Sequence, residues 1–144
     1  MPKKEYYIDS CIWLNLFKNE GDSSKGVPYW KIAKEFIEKI EENKDIIIVS
    51  AIVLKELQFK LEGKFEEVKQ FFQEAEFIHL IKTTNEDYDL ARKFEYQHGL
   101  LSFYDYLHMA ICLRLNIPLI TRDRDLIEFA RNCIKVFKPE ELFH

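Results

Sequence analysis

Four acids lie at or near the start or stop of an apolar segment, and a fifth lies in the helix behind another. Asp9 directly follows an apolar run at residues 6–8. Asp105 sits near the start of residues 102–115, a helix-length segment apolar on almost every face. After a Pro-marked turn at 116–118, the run Leu119–Ile120 stops at Thr121, and Asp123 and Asp125 follow at once. A helix apolar all round is normally buried, and an ionised carboxylate there is costly unless it is paired or binds a metal. The fifth acid, Glu56, lies in the helix that follows a second apolar run, at the edge of its polar face.

Each acid also has a plain structural reading. Asp9 can cap the next helix, as Ser10 equally could. Glu56 can pair with Lys60 one turn on. Ser102-x-x-Asp105 resembles a capping box, although Asp is short for that reach. Asp123 can be an N-cap, but Asp125-x-x-Glu128 offers the next helix a better start and leaves Asp123 with less structural duty. Taken together the acids are not independent, because Asp9 and Asp123 lie beyond strand ends and Glu56 and Asp105 lie on helices that begin at strand or loop ends. In a parallel sheet such points can fall at one carboxyl edge, where ligands bind. Carboxylates held together there would repel unless divalent cations intervened. Hard oxygen donors select Mg²⁺ or Mn²⁺ over zinc. Such ions can activate a water and stabilise a leaving oxygen without a Ser or Cys nucleophile.

The elements that must position these residues alternate in type. Strand signals fall at residues 6–8, 46–49, 77–81, 119–120 and 134–137. Helix signals fall at 10–18, from Pro28 (placed at the first helical position) through Ile40, at 51–61 behind a Ser50 cap, and from Phe65 to Ala75. Further helices run from the Thr84/Asp87 box to His98 and Gly99, over 102–115, and over 125–132. Gly63 is expected to end the 51–61 helix, and residues 19–27 form a loop. Five apolar strands separated by helices predict one α/β domain over residues 1–144, with a mainly parallel sheet covered on both faces.

A chain of 144 residues with 47% hydrophobic content can bury one substantial core. The net charge of −4 argues against gripping nucleic acid through overall basicity, though not against a nuclease whose metal-binding acids meet local cations. Cys11, Cys112 and Cys133 show no C-x-x-C spacing and read as buried free thiols of a reducing cytoplasm. Lys3 and Lys4 precede no leader-like apolar stretch, and the longest apolar run, 46–54, is too short to cross a bilayer. A cytoplasmic protein is expected.

The runs YYIDSCIWLNLF, VSAIVLKEL and FYDYLHMAICLRLNIPLITRDRDL resemble PIN-domain proteins, and among them the VapC-type toxin ribonucleases. The C-terminal run is the most specific: acid, apolar helix, apolar strand, T-R-D-x-D. The resemblance spans the whole chain. It implies a five-stranded parallel sheet with the first and fourth strands central, and a metal-dependent endoribonuclease. It further implies Mg²⁺ or Mn²⁺ bound by Asp9, Glu56, Asp105 and Asp123, with Asp125 a less certain ligand and Ser10 and Thr121 orienting the site. An RNA substrate, homodimers and a small antitoxin partner are implied as well. Cys11 departs from the small polar residue common at its position.

His108 lies one turn from Asp105 and reads most simply as a satisfied buried histidine, with a supporting role to metal ligands as the alternative. Arg122, Arg124 and Lys18 could face phosphate or merely be solvated, as could Lys55 and Lys60. The aromatic residues are spaced as core. Haloacid-dehalogenase-type phosphatases expect D-x-D where Cys11 stands. Response-regulator receivers expect an acidic pair and a late lysine that are missing, and no phosphate-binding glycine loop occurs. The stronger rival is a non-catalytic module of the same fold that binds RNA or protein, against which the retained acids speak.

Overall fold

A computed structural model describes residues 2–143. Five strands form one sheet: β1 (Glu5–Ile8), β2 (Ile46–Ser50), β3 (Ile78–Ile81), β4 (Leu119–Ile120) and β5 (Val136–Phe137). Their order is β3-β2-β1-β4-β5 and every pairing is parallel. β1 is the middle strand, with β4 beside it. All five residues of β2 are buried, so both faces of the sheet are covered there. This explains the unbroken β-branched run at 46–49.

Among the described residues seven helices connect and cover the strands: α1 (Ser10–Phe17), α2 (Tyr29–Glu42), α3 (Ala51–Leu61), α4 (Phe65–Glu74), α5 (Asn85–His98), α6 (Phe103–Leu115) and α7 (Arg124–Ala130). Seven consecutive residues of α6, Tyr106 to Cys112, are buried, as its uniform apolarity requires. Arg114 at its far end forms a two-pronged ion pair with buried Asp87, at 2.8 and 3.0 Å, tying α6 to α5. Asp87 also accepts from the backbone of Thr84 at 2.9 Å, completing the expected capping box. Gly99 closes α5 in the left-handed conformation.

Several local expectations need correction. Pro28 stands just before α2 as its cap residue, not inside it. Gly63 does not end α3. Glu62 does, with φ 45° and ψ −110°, and Gly63 lies in the short turn Glu62–Lys64 without a positive φ. The turn must reverse one residue earlier so that Leu61 and Phe65, both 6% exposed, reach the core. In the loop at 19–27 the Asp22–Val27 bridge brings the chain onto Gly21, where a Cβ would lie 2.6 Å from the Val27 carbonyl oxygen. Of the thiols only Cys112 is buried. Cys11 is half-buried, and Cys133 is exposed in the turn after α7. Among the described residues no helix is long and apolar enough to cross a membrane.

Candidate metal centre

Because all strands run in parallel, their carboxyl ends share one edge. The strand order also reverses beside β1, since the chain adds β2 on one flank and β4 on the other. A crevice outside the carboxyl ends at such a switch point is where open α/β sheets take ligands. Asp9 occupies it. Its backbone N–H donates to the Ile120 carbonyl at 2.9 Å, which fixes the end of β1 against the end of β4.

The Asp9 carboxylate is 5% exposed and held on both oxygens. Oδ1 accepts the Ser10 backbone N–H at 2.8 Å, making Asp9 the cap of α1. Oδ2 accepts the Thr121 hydroxyl at 2.8 Å and the Cys11 thiol at 3.4 Å. Burial, then the adjacent Asp9 charge, push the Cys11 thiol far above its ordinary pKa, so it stays a neutral donor. Cys11 Sγ also accepts the Arg122 backbone N–H at 3.4 Å. Thr121 is fully buried and its oxygen accepts the Asp123 backbone N–H at 3.1 Å, linking β4 to the next acid. The Ser10 hydroxyl reaches Asp9 Oδ1 only at 3.5 Å.

Glu56 comes from α3, one and a half turns after the Ser50 cap. Its Oε1 lies 2.8 Å from His108 Nε2, and the same nitrogen is 3.5 Å from Asp9 Oδ1. The ligand-capable atoms of Asp9, Glu56 and His108 all lie within 4.8 Å of one another. The partner of Glu56 is therefore His108, not Lys60, whose ammonium sits 5.9 Å from the Phe59 ring. Burial would lower the His108 pKa, but its bond to Glu56 and the charges of Asp9, Glu56 and Asp105 outweigh this and raise it.

Asp105 stands half-buried at the start of α6. Its N–H bonds the Ser102 hydroxyl at 3.2 Å, which is half of the capping box; among the described residues the reciprocal bond is not made. Burial first, then Asp9 and Asp123, raise its pKa against the opposing Ser102 and His108 effects. Its carboxyl thus feels two other members of the group. Asp123 is exposed and caps α7, with Oδ1 accepting from Asp125 and Leu126 N–H at 3.0 and 3.1 Å. This reverses the sequence expectation, which assigned that start to Asp125. The helix begins one residue earlier, at Arg124, because Thr121 already draws in the Asp123 backbone. Asp125 is exposed in the first turn, and its carboxylate makes no hydrogen bond among the described residues.

The donor set fits a divalent cation. The Asp9 and Glu56 carboxylates converge on one edge, and the Asp105 pKa, raised first by burial and then by Asp9 and Asp123, is one that a cation would lower. A hollow of about 430 Å³ opens beside the group, lined by Ser10, Leu14, Lys55, Glu56, Lys60 and Tyr104. A larger one, about 590 Å³, lies at the opposite edge of the sheet around Lys3, Asp45 and Ile46, away from the acids. Arg122 cannot serve a phosphate as it stands. Its guanidinium makes two 2.9 Å bonds to Glu140 and stacks on Tyr29 at 4.1 Å. Arg124 and Lys18 are exposed.

Sequence reasoning gave Tyr7 and Ser50 no place at this centre. Tyr7 Oη lies 2.6 Å from His108 Nδ1 and 2.6 Å from Ser50 Oγ, with all three residues fully buried. One signal was available: residues two apart on a strand share a face, so Tyr7 lies on the side of β1 toward which Asp9 continues.

Comparison with known proteins agrees with this architecture. No curated protein sequence matches the chain. Among solved structures it resembles VapBC2 from Rickettsia felis bound to a DNA fragment from its promoter (19% identity, TM-score 0.67, covering 93% of this chain and 98% of that one). It also resembles FitAcB from Neisseria gonorrhoeae (17%, 0.63, 95% and 99%) and VapC20 from Mycobacterium tuberculosis, a toxin that cleaves the sarcin-ricin loop (17%, 0.64, 86% and 94%). At these identities the likeness is one of fold. The PIN domain pattern itself matches residues 6–132, and the chain belongs to the PIN domain family.

Proposed function

We propose that the protein is a divalent-metal-dependent endoribonuclease acting as the toxin of a toxin–antitoxin pair. The observation that carries this reading is that the Asp9 and Glu56 carboxylates lie within 4.8 Å of each other around His108, which bonds Glu56, with Asp105 close enough to feel Asp9 and Asp123. Asp9, Glu56, Asp105 and Asp123 would hold Mg²⁺ or Mn²⁺. Asp125 is a weaker candidate, being exposed and joined to Asp123 only through its backbone N–H. Bound there, the ion would generate a hydroxide-like nucleophile from water and stabilise the leaving oxygen. Thr121 and Ser10 orient Asp9, Thr121 by a 2.8 Å bond. Lys55 and Lys60, on the rim of the adjoining hollow, offer the cations that a phosphodiester backbone needs beside so acidic a centre.

The toxin reading draws on the fold neighbours, which include a toxin–antitoxin complex from Klebsiella pneumoniae and the sarcin-ricin loop-cleaving VapC20. By the same analogy this chain would be silenced by an antitoxin, and the family resemblance in its sequence implies a homodimer. The test is cleavage of a mixed RNA pool with Mg²⁺, Mn²⁺ or EDTA. Endonucleolytic cleavage that requires the metal and disappears in Asp105→Asn is expected. Cleavage that persists in EDTA or in that variant would refute the metal mechanism. Metal binding without cleavage of any RNA would leave a non-catalytic module of the fold.

A further inference from the structure

The polar atoms behind Glu56 form a chain whose proton directions follow from its chemistry. Ser50 Oγ accepts the Val53 N–H at 3.2 Å as the cap of α3, so its hydroxyl proton is left to donate to Tyr7 Oη at 2.6 Å. Tyr7 in turn can donate its phenolic proton to His108 Nδ1, also at 2.6 Å. An ionised carboxylate only accepts. Glu56 Oε1, 2.8 Å from Nε2, therefore requires a proton on that nitrogen. Each hydroxyl and ring proton then has one acceptor, and the chain opens toward solvent only at Glu56, whose side chain is 25% exposed.

Filling the core does not explain this arrangement. Tyr7 and His108 are fully buried in the hydrophobic core, where apolar side chains would avoid the cost of desolvating a phenol and an imidazole. What the chain delivers is a fixed donor at a glutamate that is otherwise loosely held. Glu56 has no other side-chain partner among the described residues, and a long acidic side chain loses rotamer freedom when it is ordered. Pinning Oε1 leaves Oε2 without a hydrogen-bond partner among the described residues.

We propose that Ser50, Tyr7 and His108 are positioning residues that hold Glu56 in the orientation in which it binds the divalent ion. This rests on the metal reading of the centre given above. Hydrogen bonds to ligating carboxylates tune metal affinity, and removing such partners typically costs 10–100-fold.

The experiment is Mn²⁺ titration by calorimetry of the full chain, well below its unfolding temperature, on wild type, His108→Leu, His108→Gln and Tyr7→Phe. Each is paired with the ¹⁵N NMR spectrum of the metal-free protein. His108→Leu should weaken Mn²⁺ binding by about 10–100-fold, and Tyr7→Phe by about 10-fold. His108→Gln keeps an N–H toward Glu56 and should recover part of the loss. In metal-free wild type the His108 Nε2 should be protonated. Folded variants that bind Mn²⁺ as tightly as wild type would overturn the proposal while leaving the metal centre intact. If His108→Leu does not fold, Tyr7→Phe and His108→Gln decide alone. Wild type that binds no Mn²⁺ would overturn the metal reading and this proposal together.

Discussion

Asp123 does two things that one substitution can separate. Its Oδ1 caps α7, and its charge reaches Asp105. Asn caps helices as well as Asp does, whereas Ala does not. Asp123→Ala should cost about 1 kcal/mol in urea unfolding, and Asp123→Asn close to nothing. Both should weaken Mn²⁺ binding if the charge matters there. Equal destabilisation by the two would contradict the capping geometry. At this scale the sequence was legible in part. Asp9, Glu56, Asp105 and Asp123 stood out because apolar runs break at or near them, but their ranking as caps did not. Asp123 lost structural duty to Asp125 on paper because side-chain reach to a backbone N–H depends on where Thr121 sets the chain. Tyr7 and His108 looked like core, since nothing in a linear sequence tells that two buried polar groups 101 positions apart will meet.

At the scale of elements, the turn between α3 and α4 and the α5–α6 pair make separate predictions. Glu62, at φ 45° and ψ −110°, holds a backbone conformation that costs a residue with a Cβ about 1–3 kcal/mol. Glu62→Gly should therefore stabilise the protein by about 1 kcal/mol after the glycine's own entropy loss, raising the thermal midpoint by roughly 2–4 °C. A lowered midpoint would count against the strain. Asp87 joins α5 to α6 through Arg114. Burial raises its pKa, but Arg114 and the Thr84 bonds outweigh this and lower it overall. A lowered acid pKa gives stability that is present above the ordinary carboxylate value and is lost as pH falls through the lower folded one. Acid unfolding of wild type should thus be steeper below about pH 4 than that of Asp87→Asn. Asp87→Ala should cost about 3 kcal/mol, at the low end for breaking a buried pair because Arg114 keeps some contact with water. The α5 cap was readable, since T-x-x-D and H-G mark both ends by local chemistry. The Asp87–Arg114 pair was not, because it spans two helices whose facing sides depend on packing. The same limit explains why Gly63 looked like the helix stop: local preference favours glycine, and the demand to bury Leu61 and Phe65 overrode it.

For the whole molecule, the sheet was legible because alternating apolar strands and helices leave few options, and burial of β2 on both faces follows from its composition. The central place of β1 and β4 in the order β3-β2-β1-β4-β5 was implied by family resemblance; strand composition alone does not set it. That order makes the site, since it brings the ends of β1 and β4 together and sets Asp9, Thr121 and Asp123 side by side. On the proposed metal reading, a bound cation should stabilise the fold. Free Mn²⁺ at 100 times its Kd should add about 2.7 kcal/mol to folding, and EDTA should remove that gain. The most direct test of the account is the affinity itself: calorimetric titration of Mn²⁺ into metal-free protein and into Asp9→Asn. Saturable binding to wild type and a loss of at least about tenfold in the variant are expected, since Asp9 lies at the centre of the group. Absence of binding to wild type, or equal binding to both, would contradict it.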